Sequence, residues 1–158
     1  MLKNLMNRQV LSLLSEQTHL RHFSTSRVQL IRQGDRVSLV KRIIPRDIVF
    51  YSDLVNDHNP IHQPHHQPSI VHGTYLLGLV SGLMSSTLPG PGTVLTQLSV
   101  RFSAPCQYPS TVLVSVELGR VRRLTSATFQ VEDSETGDLY LSGEVKCLLT
   151  SEQLSNRE

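Results

Sequence analysis

His72-Gly73-Thr74-Tyr75-Leu76-Leu77-Gly78-Leu79-Val80-Ser81-Gly82-Leu83-Met84 is the stretch on which the fold turns. Its apolar residues cover nearly every face of a 3.6-residue helix, which predicts a helix buried all round rather than one lying on a surface. Leu88-Pro89-Gly90-Pro91-Gly92 stops it. Gly73, Gly78, Ser81 and Gly82 lower its helix propensity. That cost fits the close approach of another backbone or a ligand, and it fits close packing against a sheet equally well. Everything beyond the stop reads as strand. Thr93 to Phe102 and Thr111 to Leu118 alternate, and Ala127 to Val131 and Leu139 to Leu149 flank the turn residues Asp133-Ser134-Glu135-Thr136-Gly137-Asp138. One buried helix followed by four strands predicts an α+β domain in which a curved antiparallel sheet wraps the helix.

Upstream, Arg36 to Ile44 suits a strand that buries Val37, Leu39 and in part Ile43. Pro45 ends it and opens a short helix to about residue 55, along which Ile48, Val49, Ser52 and Val55 recur at helical spacing. The segment from Asn56 to Pro68 holds Pro60, Pro64 and Pro68, so it is expected to be irregular. With 158 residues, 39% hydrophobic and 18% charged, the chain has the content of one globular domain, set at residues 33–150 with a C-terminal tail at 151–158. Aromatic residues are only 5% and Trp is absent, so the core is aliphatic and little remains for stacking on bases. Cys106 and Cys147 form no metal-ligand spacing and are expected as buried or half-buried free thiols. No stretch approaches the ~20 apolar residues that cross a bilayer.

The formal net charge of +2 averages two unlike parts. Lys3, Arg8, Arg21, Arg27 and Arg32 stand against Glu16 alone, so residues 1–32 carry +4 and the remainder −2. A slightly acidic body has no broad footprint for nucleic acid. The leader is rich in Arg and Ser, and Leu2, Leu5, Met6, Val10, Leu11, Leu13 and Leu14 lie near helical spacing. That is the pattern of a mitochondrial transit peptide, and Arg21-His22-Phe23-Ser24 resembles a processing site. The mitochondrial matrix is the expected compartment.

Five of the seven histidines fall between positions 58 and 72, beside Asp57. Metal ligation by Asp57, His62, His65 and His66 would need a tight turn that the prolines oppose, so His65 and His66 are read as solvated loop imidazoles. Asp57-His58-Asn59-Pro60-Ile61-His62 instead sets a carboxylate and an imidazole five residues apart, with Asn59 and Pro60 to hold a turn between them. Such a pair can act as acid and base. The same residues also suit an Asx turn carrying a surface His.

Asp57-x-Asn59-Pro60-x-His62, Ile70-Val71-His72-Gly73, Ser81-Gly82-Leu83, Leu88-Pro89-Gly90-x-Gly92, Gln97-x-Ser99-Val100-x-Phe102 and Ser142-Gly143-Glu144-Val145 together resemble the MaoC-like (R)-specific enoyl-CoA hydratase family, hydratase 2. The resemblance runs from about Gly34 to Leu149. It implies a hotdog fold, usually a homodimer, with no metal and no cofactor. It further implies that Asp57 and His62 are the catalytic pair, that the Gly73 amide faces a thioester carbonyl, and that Ser81, Asn59 and His72 serve substrate binding. The reaction implied is reversible dehydration of (3R)-3-hydroxyacyl thioesters of acyl carrier protein or CoA, in mitochondrial fatty-acid synthesis. Two departures stand out. Asn56 replaces the family's usual Gly before the Asp, which asks for a positive φ that Asn is among the few to accept. The segment from His62 to Ile70 is short and lacks the family's usual Asp and Ala, which bears on the acyl-chain pocket. The rival readings are a hotdog thioesterase, which would release free thiol, and a non-catalytic acyl-thioester binding subunit, which need not keep both Asp57 and His62.

Overall fold

The structure is a computed structural model and describes residues 31–155. The transit-peptide and processing expectations, apart from Ile31 and Arg32, lie outside the described residues. Strand β1 (Arg36–Ile43) leads to helix α1 (Pro45–Val55), a single 3-10 turn at Pro60–His62, the two-residue strand β2 (Ser69–Ile70) and helix α2 (Gly73–Ser86). Then follow β3 (Val94–Phe102), β4 (Gln107–Tyr108), β5 (Ser110–Leu118), β6 (Leu124–Asp133), β7 (Leu139–Leu148) and a short α3 (Ser151–Ser155). The five long strands form one open antiparallel sheet in the order β1-β5-β6-β7-β3, and β2 pairs with β4 in a separate ribbon.

Period-two burial makes the core. Val112, Val114, Val116 and Leu118 on β5, Ala127, Phe129 and Val131 on β6, and Leu141, Val145 and Cys147 on β7 are all buried. They join Leu76, Val80, Leu83 and Met84 of α2 in one apolar cluster. Gly143 faces the same way, where a Cβ would run into the Phe129 ring and the Ser99 carbonyl. Its lack of a side chain therefore seats the one phenylalanine of the core. The sheet bends at register shifts between Leu95 and Gln97 and between Val131 and Glu132. A curved antiparallel sheet over one helix is the expected α+β hotdog, and both cysteines are free and buried as expected.

Several expectations change. Helix α2 is not buried all round, because Thr74, Gly78, Gly82 and Ser85 form an exposed stripe. A Cβ at Gly78 or Gly82 would meet nothing within 4 Å, so neither glycine answers a close neighbour within one chain. Leu39 is 41% exposed because β1 is an edge strand with a neighbour on one side only. Strand β6 runs beyond Ala127–Val131 at both ends, carried by pairing to β7 such as Leu124 with Leu148, a non-local cause that a local pattern does not hold. The 3-10 turn gives the proline-rich loop one regular turn, with Pro60 at its first position, where the missing N–H costs nothing. Residues 151–155 form a helical turn. Gln153 ties it back through bonds to the carbonyls of Pro89 (3.1 Å) and Gly90 (3.4 Å).

Candidate active site

The site begins with how α1 ends. Asn56 caps the helix in the left-handed region at φ 55°, which meets the requirement noted for this position. Its N–H and that of Asp57 (3.0 Å) both donate to the Ser52 carbonyl, so the chain turns sharply and presents Asp57 at the turn. Two side-chain turns follow. Asp57 Oδ1 accepts from the Asn59 N–H at 3.2 Å, and Asn59 Oδ1 accepts from the Ile61 N–H at 3.3 Å. These carry the chain into the 3-10 turn that places His62. The Asx turn and the acid–base pair, alternatives in the sequence, are one arrangement here.

His62 Nδ1 lies 2.7 Å from the Ile70 carbonyl, an acceptor only, so Nδ1 carries the proton and the neutral ring keeps its lone pair on Nε2. Ile70 is itself fixed by the β2–β4 ribbon, and the next residue bonds Val71 N–H to the Cys106 carbonyl at 2.8 Å. Asp57 Oδ2 then stands 3.8 Å from His62 Nε2 and 3.8 Å from His72 Nε2. The two imidazoles stack with centroids 3.8 Å apart and planes 24° from parallel. His72 is buried, with its Nε2 3.4 Å from Ser52 Oγ and the Tyr51 ring edge-on at 5.2 Å. Burial, then the neighbouring His62, hold the His72 pKa below its ordinary value, against an opposing pull from Asp57.

Asp57, His62, His72 and Gly73 line a cavity of about 460 Å³, together with Phe102, Tyr140 and other residues. Gly73 opens α2, so its N–H has no intrahelical partner and sits at the positive end of the helix dipole. The Phe102 ring lies close enough to Gly73 that a Cβ there would collide with it. Cys106 lines the same cavity, and burial pushes its thiol up to about 11, so it is neutral near pH 7. Tyr140, pushed up to about 12 chiefly by burial, donates to Asp133 Oδ2 at 2.9 Å. A second cavity of about 380 Å³, on the sheet face away from α2, includes Arg36, Glu117 and Glu144 but no imidazole.

Asn59 forms the turn and does not line the 460 Å³ cavity. Ser81 lies eight residues along α2 from Gly73, about 12 Å at helical rise, and does not line it either. His65 is exposed, and half-buried His66 bonds the Pro68 carbonyl through Nδ1 at 3.0 Å. Asp57, His62 and His72 bring possible metal-ligand atoms within 4.8 Å of one another. Stacked, near-parallel rings send their in-plane lone pairs along separate planes, so one ion could not meet both rings in plane at the usual ~2.1 Å. The arrangement suits proton transfer. Sequence reasoning missed Ser52, Tyr51, Phe102, Cys106 and Tyr140 as site residues. Only Ser52 left a signal, as a hydroxyl on the apolar stripe of α1.

A hotdog fold with a carboxylate–imidazole pair near the head of its central helix defines the class. The chain belongs to the MaoC like domain family, which matches residues 24–138. It is 30% identical over 127 residues to an (R)-specific enoyl-CoA hydratase of Rhodospirillum rubrum, covering 75% of this chain and 88% of that protein. It is 34% identical over 90 residues to a 3-hydroxybutyryl-CoA dehydratase of Methylorubrum extorquens, covering 52% and 57%. Among solved structures, an (R)-hydratase from A. caviae involved in PHA biosynthesis superposes with a TM-score of 0.72 at 27% identity, over 77% of this chain and 99% of that one. Family, fold and hydro-lyase class agree with what the resemblance implied.

Proposed function

We propose that this protein reversibly dehydrates (3R)-3-hydroxyacyl thioesters to trans-2-enoyl thioesters. The observation that carries the reading is the Asp57–His62 pair beside the Gly73 amide in one cavity. The difficult step is loss of a C2 proton next to the thioester carbonyl. It becomes feasible when the developing enolate charge meets a preorganised donor, here the Gly73 N–H at the head of α2. One member of the Asp57–His62 pair takes the C2 proton, and the pair gives a proton to the leaving hydroxyl, which departs as water and leaves the pair as it began; hydration is the reverse. No external oxidant or reductant enters the balance.

The leader supports a mitochondrial matrix location, and there the chemistry fits fatty-acid synthesis on acyl carrier protein, with CoA thioesters as the alternative carrier. N-terminal sequencing of the protein from isolated mitochondria tests this: processing near Phe23 is expected, and an intact Met1 overturns it. A homodimer across β3 fits the same reading. That strand pairs only with β7 and leaves an open edge of nine residues, and Val94, Leu98 and Phe102 are more than 40% exposed.

The direct test is hydration of crotonyl-CoA by the protein from Ser24 onward, followed by loss of the enoyl-thioester absorbance and the chirality of the product. Formation of (3R)-hydroxybutyryl-CoA without thiol release is expected. Release of free thiol with no hydration would identify a thioesterase instead.

A further inference from the structure

The buried face of the site holds a polar group that the mechanism above does not use. His72 is 2% exposed, and its Nδ1 is the one buried side-chain nitrogen or oxygen without a hydrogen-bond partner among the described residues. Leaving such an atom unpaired is costly, so a ring kept only to fill space there would be better replaced by an apolar one. What keeps the imidazole polar must act at its other nitrogen. Nε2 has the Ser52 hydroxyl at 3.4 Å and Asp57 Oδ2 at 3.8 Å as neighbours, and the ring also interacts with the Asp57 backbone.

Both neighbours come from the same turn. Ser52 is itself 2% exposed on α1, and its carbonyl receives the N–H groups of Asn56 and Asp57 that set the direction of the carboxylate. Its hydroxyl and carbonyl therefore reach the two sides of one device, the ring of His72 and the backbone of Asp57. The tautomer follows from the surroundings. A buried N–H without an acceptor is rarer than a buried acceptor without a donor, so the proton belongs on Nε2 and the unpartnered lone pair on Nδ1. The ring then directs a neutral donor at the carboxylate. Its other face is stacked on His62, which limits where that ring can sit. Tyr51 closes the third side edge-on, and Tyr75 packs edge-on against Tyr51 at 5.5 Å.

We infer that His72, held by Ser52, is a positioning residue that orients the Asp57 carboxylate and the His62 ring for proton transfer, rather than a residue that binds substrate. The inference rests on the reading of Asp57 and His62 as the acid–base pair, and its experiment separates the two. His72→Phe keeps the ring and the stack but removes the donor, while His72→Gln returns an N–H near the position of Nε2. For His72→Phe, kcat for crotonyl-CoA hydration is expected to fall about 10- to 100-fold with KM unchanged within about twofold, the scale of one hydrogen bond to a charged group. His72→Gln should recover at least half of that loss on a logarithmic scale. In an Asp57→Asn background, His72→Phe should add nothing further, since the carboxylate it serves is gone.

A folded His72→Phe protein with wild-type kcat overturns the inference, as does a raised KM with kcat unchanged, which is the behaviour of a substrate contact. Equal losses in the Phe and Gln variants, or the full His72→Phe loss persisting on Asp57→Asn, would mean that a donor aimed at the carboxylate is not what the site needs, and would also overturn the inference. If His72→Phe does not fold, Ser52→Ala carries the test. A kcat lowered about 3- to 10-fold at constant KM is then expected, and an unchanged kcat refutes the pair. Near-normal turnover by Asp57→Asn would instead remove the catalytic reading itself, whatever His72 does.

Discussion

Replacing Gly73 by Ala tests the proposed carbonyl donor while leaving the acid–base pair intact. The added Cβ collides with the Phe102 ring, but Phe102 is 54% exposed within one chain, so the ring can shift without opening that chain's core. Alanine also has the better helix propensity, by ~1 kcal/mol in a helix interior and less at a first position. The two effects offset each other, and Tm should stay within a few degrees of wild type. Activity should not. The methyl group and the displaced ring both intrude on the space beside the N–H, where the oxyanion must come within about 2.7–3.1 Å of its donor. Loss of one such donor costs about 10²–10³ in kcat, or roughly 2.7–4 kcal/mol of barrier. Crotonyl-CoA hydration by Gly73→Ala should therefore fall at least about 10²-fold. The variant Phe102→Ala separates the two intrusions. If the ring is the obstacle, the Gly73→Ala/Phe102→Ala double variant recovers activity; if the methyl is, it does not. A well-folded Gly73→Ala protein within about threefold of wild-type kcat would refute the assignment of this amide, because no donor at the 10² scale would then have been lost.

Asp57→Asn should lower kcat by about 10²–10⁴, with little change in thermal stability, because its Oδ1 can still accept from the Asn59 N–H and the side chain is half exposed; circular dichroism melts alongside the hydration assay check both halves. His72 predicts an acid-side loss of stability. Its pKa in the fold lies below the ordinary 6.5, so the unfolded chain binds the proton more readily. The contribution is intact above about 6.5 and declines as pH falls from there through the folded value. Urea midpoints should thus drop more between pH 7 and pH 5 for wild type than for His72→Phe, and parallel profiles would contradict the burial argument. Leu98→Asp, on the open edge of β3, should yield a monomer by sedimentation where the unaltered chain is expected to be a dimer, and an unchanged mass would place the seam elsewhere.

The sequence announced what a single run of residues can hold. Pro45 opened α1 and the 56–68 prolines broke the next segment, because each acts through its own ring and missing N–H. The turn that joins Asp57, Asn59 and His62 was legible because it is made by their own side chains, whereas the pairing of Asp57 and His62 as acid and base came from the family resemblance. Asn56 was legible as a demand for positive φ, which the structure meets. The helix at residues 73–86 was legible as a helix but not as one with an open face, since a Leu-rich run with glycines reads alike whether or not a sheet covers both sides. Phe102, Cys106 and Tyr140 were not legible at all as site residues. Each sits at the end of a strand or in a connection, and nothing in its own neighbours says which cavity the sheet order will bring it to.

The same distinction separates the chemistry of the site from its selectivity. In the proposed mechanism proton transfer depends on Asp57 and His62, and their geometry is fixed within the 17 residues 56–72 by Asn56, Asn59, Ile70 and His72. On the same reading acyl selection falls to the cavity wall, where Phe102, Cys106 and Tyr140 arrive through the order β7-β3 and the β2–β4 ribbon. Substitutions in the first group should act on kcat for every acyl length alike. Those in the second should change the ratio of kcat/KM between short and long acyl thioesters while leaving the better substrate's kcat in place. The segment from His62 to Ile70 bridges the two, because it both holds the His62 ring through the Ile70 carbonyl and borders the wall through Ile70 itself. Lengthening it should therefore disturb kcat and chain-length preference together, whereas a change at Tyr140 should move only the preference.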